Sequence, residues 1–318
     1  MVKLPGHKIF AISLPFLALI IAHLIWGANF VVAKFALNDF PPMTLAFLRY
    51  ALASLLLVPF LLVFEKKELK IKLSHLPKLF TTAILMVTIN IALFYEGLKR
   101  TSAIDASVLS MSVPIFSVLG GWWILKEKIY WINLVGIILG FFGTLVILGL
   151  PLIFLGKFTS EGMFGNLLIL LSSVTFVIGA ILSKQLLKTY HPLILTALFF
   201  LIATLTLAIP AVFEYLSFPT WAEKVSVLGY LSLGFITILS TICAFFLLYW
   251  GMDKIGVIKA NLFHYMEPAV AASLAVPFLG ERISYSFIIG TCLVVLGVYW
   301  GTLGKQEHHH THHKHHRS

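Results

Sequence analysis

The sequence predicts an all-α integral membrane protein with ten transmembrane helices, arranged as two inverted five-helix repeats. Three observations predict this fold: the composition, ten long apolar segments and an internal repeat. Of the 318 residues, 59% are hydrophobic and 11% are charged, and the mean hydropathy is +0.98. A soluble domain is typically about 45–50% apolar and about 25% charged. The chain lacks the polar residues that a soluble exterior or a disordered chain requires, so both classes are excluded.

The apolar segments are separated by short polar, proline-rich or glycine-rich connections. A helix needs about 20 apolar residues to cross a bilayer, and the segments have about this length. We number them spans 1 to 10, at residues 10–37, 43–64, 78–98, 103–125, 131–150, 163–187, 193–213, 225–251, 259–278 and 285–302. Span 1 exceeds the roughly 7–15 apolar residues of a signal peptide, so we expect it to be retained.

The lysines and arginines orient the spans. With the N-terminus inside, 16 of the 23 Lys and Arg residues fall on the cytoplasmic side, 5 on the other side and 2 within spans. Cytoplasmic loops carry an excess of these residues. Both termini are therefore predicted to be cytoplasmic, in a multi-pass protein of the inner or plasma membrane. The net charge of +10 then reflects topology and attraction to anionic headgroups, which favours the lipid bilayer as a partner and not nucleic acid.

Two stretches of the chain repeat at an offset of 154 residues without a gap. The stretch from Gly97 to Gly143 falls on the stretch from Gly251 to Gly297, and a weaker match at an offset of 150 relates earlier parts of the two halves. Five spans per half is an odd number, so the halves enter the membrane from opposite sides. Inverted repeats of this kind recur in alternating-access transporters.

The repeat defines the domain organisation. The predicted segments are a cytoplasmic N-terminus at 1–9, a first repeat at 10–150, an outer linker at 151–162, a second repeat at 163–302 and a His-rich cytoplasmic tail at 303–318.

Spans 4 and 9 each carry a stripe of polar side chains before a proline. A proline removes a backbone donor and loosens the preceding turn. Broken helices at matching positions of two halves point to a transporter's binding site, so helix breaks are predicted at both prolines. The pairs related by the repeat are Ser107 with Asn261, Ser110 with His264, and Pro114 with Pro268.

Glu267, just before the second proline, is the most conspicuous acid inside a span. One interpretation is a proton-coupling or amine-binding carboxylate, with His264 as a titratable neighbour. The alternative is a structural acid that is uncharged or hydrogen-bonded across the repeat interface. His264 has the corresponding alternative of an interior histidine with satisfied hydrogen bonds.

The candidate substrate-binding residues combine these groups with amides and aromatic rings of other spans. An asparagine could bind a substrate or tie helices together, and a ring could line a pocket or pack against lipid. The full set is Trp26, Asn29, Asn90, Tyr95, Ser110, Phe176, Tyr249, Asn261, His264 and Glu267.

Three features near span ends are predicted to be structural. Lys34 and Arg49 are expected to extend their long side chains towards the membrane surface. Glu96 and Arg100 are spaced for a helix-end ion pair. Ser102 and Asp105 fit a capping box that opens span 4.

Several motifs together resemble a known family. They are Trp26-Gly27-Ala28-Asn29-Phe30 with Lys34, Leu48-Arg49, Pro114 with Glu127, Glu267-Pro268 and Gly280-Glu281-Arg282. From about residue 10 to 302 the chain resembles the EamA family of the drug/metabolite transporter superfamily. The resemblance implies a ten-helix inverted-repeat fold whose central cavity is lined by spans 1, 3, 4, 6, 8 and 9. It also implies export or exchange of amino acids and similar small metabolites.

The sequence thus predicts a secondary transporter and not an enzyme, with no cofactor and no metal site within the spans. The alternatives are a passive channel or facilitator for small polar solutes and, third, an intramembrane enzyme. No GxxxxGK[ST], HExxH or GxSxG motif is present, which argues against ATP-driven pumping and hydrolysis. The histidines between His308 and His316 could give the tail weak affinity for divalent metals, or the tail could be inert.

Overall fold

The computed structural model describes residues 14–64, 71–125, 131–147 and 160–303, and within these ranges the chain forms helices and no strand. The α-helices are Leu14–Asp39, Pro42–Phe64, Leu76–Ala83, Asn90–Arg100, Ala103–Ser110, Val113–Leu125, Trp131–Ile147, Ser160–Leu186, Pro192–Ser217, Val227–Phe235, Ala244–Ile255, Val257–Asn261, Glu267–Leu279 and Tyr285–Leu303. The predictions for segment 1–9, Glu127, linker residues 151–159 and tail residues 304–318 lie outside the described residues.

Eight helical segments of the described chain are long and apolar enough to cross a bilayer. They lie at the positions of spans 1–4 and 6–9: Leu14–Asp39, Pro42–Val63, Leu73–Arg100, Ala103–Ile124, Glu161–Leu186, Pro192–Ser217, Val227–Ile255 and Lys259–Leu279. Two shorter apolar helices, Leu134–Gly143 and Tyr285–Gly297, lie where spans 5 and 10 are predicted. The chain is therefore an all-helical, multi-pass membrane protein.

Four spans depart from a regular α-helix at positions that the repeat relates. Span 3 contains a π-helix at Ile84–Ile89, and span 8 contains one at Ile236–Cys243. Span 4 turns between its two helices at residues 111–112, and span 9 passes through a 3-10 turn at Leu262–Met266. In both broken spans the next helix has proline as its second residue. The missing N–H of a proline costs no intrahelical bond there.

Spans 5 and 10 pack against each other through glycines. A Cβ on Gly143 would lie 2.7 Å from the backbone oxygen of Gly290, and a Cβ on Gly297 would lie 2.6 Å from the backbone oxygen of Gly136. Any side chain at these positions would force the helices apart, which is the usual role of small residues between membrane helices. The repeat relates the two contacts, since Gly143 corresponds to Gly297 and Gly136 corresponds to Gly290.

Spans 2 and 7 also pack side by side. Ser54 Oγ in span 2 lies 3.3 Å from Thr204 Oγ1 in span 7. These two residues are related by the weaker offset of 150. Equivalent positions of the two halves therefore meet in this helix pair as well.

Three carboxylates cap the N-termini of helices in the other half of the chain. Glu214 accepts two backbone N–H bonds of 2.7 and 3.0 Å at the start of span 2, and Glu281 accepts two of 2.7 and 2.9 Å at the start of span 4. Asp39 accepts a bond of 3.0 Å from the backbone N–H of Ser226, just before span 8. Each carboxylate satisfies unpaired donors at the positive end of a helix. All three contacts join one half of the chain to the other.

Two local predictions are confirmed at the helix ends. The Ser102 side chain accepts a hydrogen bond of 2.9 Å from the backbone N–H of Asp105, as expected for the cap of span 4. Glu96 and Arg100 form the predicted ion pair.

Candidate functional site

A cavity lies inside the bundle, with walls from spans 1, 2, 3, 4, 6, 8 and 9. Its empty space measures about 570 Å³, part of which is open to the outside. The side chains that line it are mostly aromatic or polar: Trp26, Asn29, Phe30, Arg49, Asn90, Ile91, Phe94, Ser110, Val113, Ser172, Ser173, Phe176, Ser240, Phe245, His264 and Glu267.

The two broken spans contribute the same repeat positions to the cavity wall. Ser110 and Val113 line it from span 4, and His264 and Glu267 line it from span 9. The offset of 154 relates Ser110 to His264 and Val113 to Glu267. The two breaks therefore match in position, but of the two broken spans only span 9 brings ionisable groups to the cavity.

Glu267 is a buried carboxylate between two histidines. Its side chain is 2% exposed, and its Oε1 atom lies 2.8 Å from Nδ1 of His23 and 2.8 Å from Nδ1 of His264. The contact with His23 is a hydrogen bond, whereas His264 Nδ1 lies off the direction that a hydrogen bond needs. The contact with His264 is therefore electrostatic. Both Nε2 atoms are buried and have no hydrogen-bond partner within the described part of the chain.

Gly27 brings span 1 against this part of span 9. A Cβ on Gly27 would lie 2.7 Å from Cβ of Val270 and 3.0 Å from the backbone oxygen of Glu267. The absence of a side chain lets the helices approach this closely. His23, one helical turn before Gly27, can then reach Glu267.

Aromatic rings form the wall around His264. The ring of Trp26 stacks on the imidazole with centroids 5.9 Å apart, and Phe176 meets it edge-on at 5.5 Å. The Trp26 indole N–H donates a hydrogen bond of 3.0 Å to the backbone oxygen of Ser240, which fixes the ring. Charges in such apolar surroundings interact more strongly than in water.

Arg49 does not extend to the membrane surface, contrary to the sequence-based expectation. Its side chain is 2% exposed and lines the cavity. Nε donates to Thr241 Oγ1 at 2.8 Å, Nη1 donates to the hydroxyl of Tyr95 at 2.7 Å, and the guanidinium lies 5.0 Å from the ring centre of Tyr50. Neutral oxygens and aromatic faces replace the water that the guanidinium loses. No carboxylate among the described residues pairs with it.

Three predicted binding residues pack behind the cavity wall and do not line it. Tyr95 accepts the hydrogen bond from Arg49, and Tyr249 donates one of 3.2 Å to the sulfur of Met86. Asn261 donates a hydrogen bond of 2.8 Å to Ser117 Oγ and so joins span 9 to span 4. The other seven line the cavity: Trp26, Asn29, Asn90, Ser110, Phe176, His264 and Glu267.

Comparison with known proteins decides the family. The model of the EamA-like transporter family matches residues 13–149 and again residues 163–302, most of the chain. The chain belongs to this family. The sequence-based recognition is thereby confirmed.

Relatives in the EamA-like family are transporters by name. The chain is 26% identical over 288 residues to the uncharacterized transporter YoaV of Bacillus subtilis (strain 168), covering 90% of this chain and 96% of that protein. It is 29% identical over 289 residues to an uncharacterized transporter of Archaeoglobus fulgidus, with the same coverage. A solved crystal structure of a protein shares the fold with a TM-score of 0.64 at 19% identity, over 92% of this chain and 98% of that one. A membrane-spanning transporter implies a lipid bilayer and a small-molecule substrate.

Two ionisable side chains of this EamA-like site are absent from the predicted set. His23 precedes Trp26 by three residues and therefore lies on the same helical stripe, a signal that could have identified it. Arg49 is an arginine inside a span, and an ionisable residue at such a position is a functional candidate by default. Its closeness to the start of span 2 favoured the surface interpretation instead.

Proposed function

We propose that the protein is a secondary transporter that exports or exchanges amino acids or similar small metabolites across the cytoplasmic membrane by alternating access. One observation carries this proposal: two matched helix breaks line a cavity that holds a buried cation, Arg49, and a buried carboxylate, Glu267. Transporters among the relatives support the same class of function.

Arg49 and Glu267 suit the two charged groups of an amino acid. A buried guanidinium with neutral neighbours is stabilised by a carboxylate, which accepts its remaining N–H donors. Glu267 offers the complementary contact to an ammonium group. The rings of Trp26, Phe176 and Phe245 provide apolar surface for the rest of the solute, as is usual in small-molecule sites.

The contacts between repeat-related positions support alternating access. The glycine contacts of spans 5 and 10, and the contact between Ser54 and Thr204, are those expected beside a two-fold axis. With five spans per half, that axis lies in the membrane plane, as in other inverted-repeat transporters. The excess of Lys and Arg in alternate loops supports cytoplasmic termini.

Counterflow in proteoliposomes tests the function. The purified full-length chain is reconstituted, the vesicles are loaded with unlabelled L-phenylalanine, L-leucine, L-glutamine or L-lysine, and uptake of the same labelled solute is followed. A carrier gives saturable, transient accumulation of at least one of them. Non-saturable flux without counterflow contradicts the proposal in favour of a channel, and chemical conversion of the solute contradicts it in favour of an enzyme.

The role of Arg49 is tested by Arg49→Met with three probes that share a phenyl ring. We expect the variant to bind L-phenylalanine and 3-phenylpropionate about tenfold or more weakly, since charge-assisted hydrogen bonds contribute about 1.5–3 kcal/mol. Binding of 2-phenylethylamine, which has no carboxylate, should change little. Ligand-induced thermal stabilisation in detergent measures all three.

Lys34→Met is the matched control, because Lys34 is a cation in span 1 outside the cavity wall. Equal losses for the amine and the two carboxylates in Arg49→Met would refute a carboxylate site at Arg49.

A further inference from the structure

Substrate binding alone does not explain the two histidines around Glu267. We propose that His23, His264 and Glu267 form a proton-binding triad, at which a proton and the cationic group of the substrate compete for one buried negative charge. The proposal rests on the proposed transport function and adds proton coupling to it.

The charge balance of the triad leads to competition. With Glu267 ionised and both imidazoles neutral, the triad carries one negative charge. One proton from cavity water, taken up on an imidazole nitrogen or on the carboxylate, neutralises it, and so does one substrate ammonium. A net charge buried in an apolar interior is costly. The triad therefore holds either cation alone, and release of one accompanies uptake of the other.

The two histidines have different positions relative to the cavity. His264 and Glu267 line it, so protons reach them through cavity water. His23 is fully buried and lies outside the wall, and its Nδ1–H donates to Glu267. His264 is thus the group that exchanges with the cavity, and His23 is the group that holds the carboxylate in place and shares its proton.

The burial of His264 is a second reason to place a proton-binding site here. This residue is 6% exposed, and neither ring nitrogen makes a hydrogen bond to the described residues. Nδ1 is in contact with Glu267, but Nε2 is buried without a partner among the described residues, and such an atom calls for an explanation. A site that gains and loses a proton on His264 explains this buried nitrogen.

The spacing fits a shared proton better than a metal ion. The three side chains offer ligand atoms within 4.8 Å of one another, the combination that could hold a cation. In a tetrahedral zinc site with bonds of about 2.0–2.1 Å, ligand atoms are about 3.3 Å apart. The separation of 2.8 Å between each Nδ1 and Oε1 is that of a hydrogen bond or a close ion pair.

Other ionisable groups of the described residues lie on spans that pack against spans 1 and 9, and none of them pairs with the triad. In the described part of the chain, only His23 and His264 form an ion pair or hydrogen bond with the Glu267 side chain. The neighbouring spans contribute Arg49 from span 2, Tyr95 from span 3, Asp105 from span 4, Tyr249 from span 8 and Tyr265 from span 9.

His23→Asn is the informative substitution. The asparagine amide can replace the Nδ1–H donor to Glu267 but cannot take up a proton. Because the amide keeps the donor that holds Glu267, counterflow should fall much less than the response to a pH gradient. Vesicles containing the wild-type chain or the variant, with pyranine inside, are tested with L-phenylalanine in two ways: counterflow at equal pH, and accumulation driven by a pH gradient with the potential clamped by K⁺ and valinomycin.

Counterflow tests transport itself, and gradient-driven accumulation tests proton coupling. We expect wild-type vesicles to show counterflow, gradient-driven accumulation and a substrate-dependent change in internal pH, and His23→Asn to keep counterflow at a reduced rate and to lose the other two. Counterflow that ignores the pH gradient in the wild-type chain overturns proton coupling and leaves the transport function intact. An equal response to the gradient in His23→Asn overturns the role of the triad. Absence of counterflow for every amino acid in the panel above overturns the function itself.

Two further measurements address misfolding of the variant and binding of a metal ion. If His23→Asn does not fold, His23→Gln is used, and binding of L-phenylalanine is measured against pH. Competition predicts one proton released per substrate in the wild-type chain and a smaller dependence in the variant. Zn²⁺ binding to the full-length chain with its tail histidines replaced by serine, lost in His23→Asn, would overturn the proton site in favour of a metal site.

Discussion

The breaks in spans 4 and 9 occupy equivalent positions but carry different chemistry. In span 4, Ser110 donates a hydrogen bond of 3.0 Å to the carbonyl of Ala106 in its own helix, and Val113 is apolar. In span 9, Glu267 is in contact with two histidines, and Nε2 of His264 has no partner among the described residues. The backbone geometry is therefore repeated in both halves, whereas of the two breaks only that of span 9 carries ionisable groups.

This asymmetry has a physical reason. A second carboxylate at the position of Val113 would place two negative charges around one apolar cavity, at a cost that grows as water is excluded. A repeat needs its two halves to bend alike so that each can open in turn. It does not need both halves to bind the same group. We therefore expect substitutions in span 9 to change transport and matched substitutions in span 4 to leave it unchanged.

The largest effect is expected for Glu267→Val, which gives span 9 the residue of span 4. Removal of the buried carboxylate leaves both histidines, and the proposed substrate ammonium, without their anionic partner. We expect L-phenylalanine counterflow to fall about tenfold or more, because charged hydrogen bonds contribute about 1.5–3 kcal/mol. The matched control is Val113→Ala, measured at equal reconstituted protein. Similar losses in both variants would contradict the assignment of the chemistry to span 9.

The sequence alone predicts those features of spans 4 and 9 that depend on position along a helix. Pro114 and Pro268 identify both breaks, and Glu267 stands out because acids are rare inside spans. The sequence does not predict which side chains face the cavity, because that depends on the rotation of each helix about its axis. Arg49 and Tyr95 both lie inside spans, yet tertiary packing directs the arginine into the cavity and the tyrosine behind it.

Rotation is set by close contacts that a single sequence does not reveal. Gly27 allows span 1 to approach span 9, and only this approach gives His23 its contact with Glu267. The sequence likewise does not show which asparagine side chains line the cavity. Asn29 and Asn261 are both asparagines inside spans, but one lines the cavity and the other bonds to Ser117.

An intermediate effect, on stability, is expected for the bond between Asn261 and Ser117. A double-mutant cycle with Asn261→Ala and Ser117→Ala, measured by unfolding in mixed micelles, should give a coupling free energy of about 1 kcal/mol, the size typical of side-chain hydrogen bonds between membrane helices. Ser107 is the repeat partner of Asn261, and its hydroxyl donates only to the carbonyl of Ile104 in its own helix. Ser107→Ala should therefore show no coupling to span 9. A coupling near zero for the first pair would mean that it does not hold the broken spans together.

The smallest effect is expected for Ser110→Ala, although Ser110 lines the cavity at the position that His264 occupies in span 9. Its hydroxyl is already satisfied by the carbonyl of Ala106, so its loss leaves no other group unpaired. We expect counterflow and the response to a pH gradient to remain near wild type, whereas His264→Ala should abolish the response to the gradient. A strong loss of gradient-driven transport in Ser110→Ala would show that span 4 also takes part in proton binding. The two halves would then be functionally alike as well as geometrically alike, and the charge argument against a second ionisable site would fail.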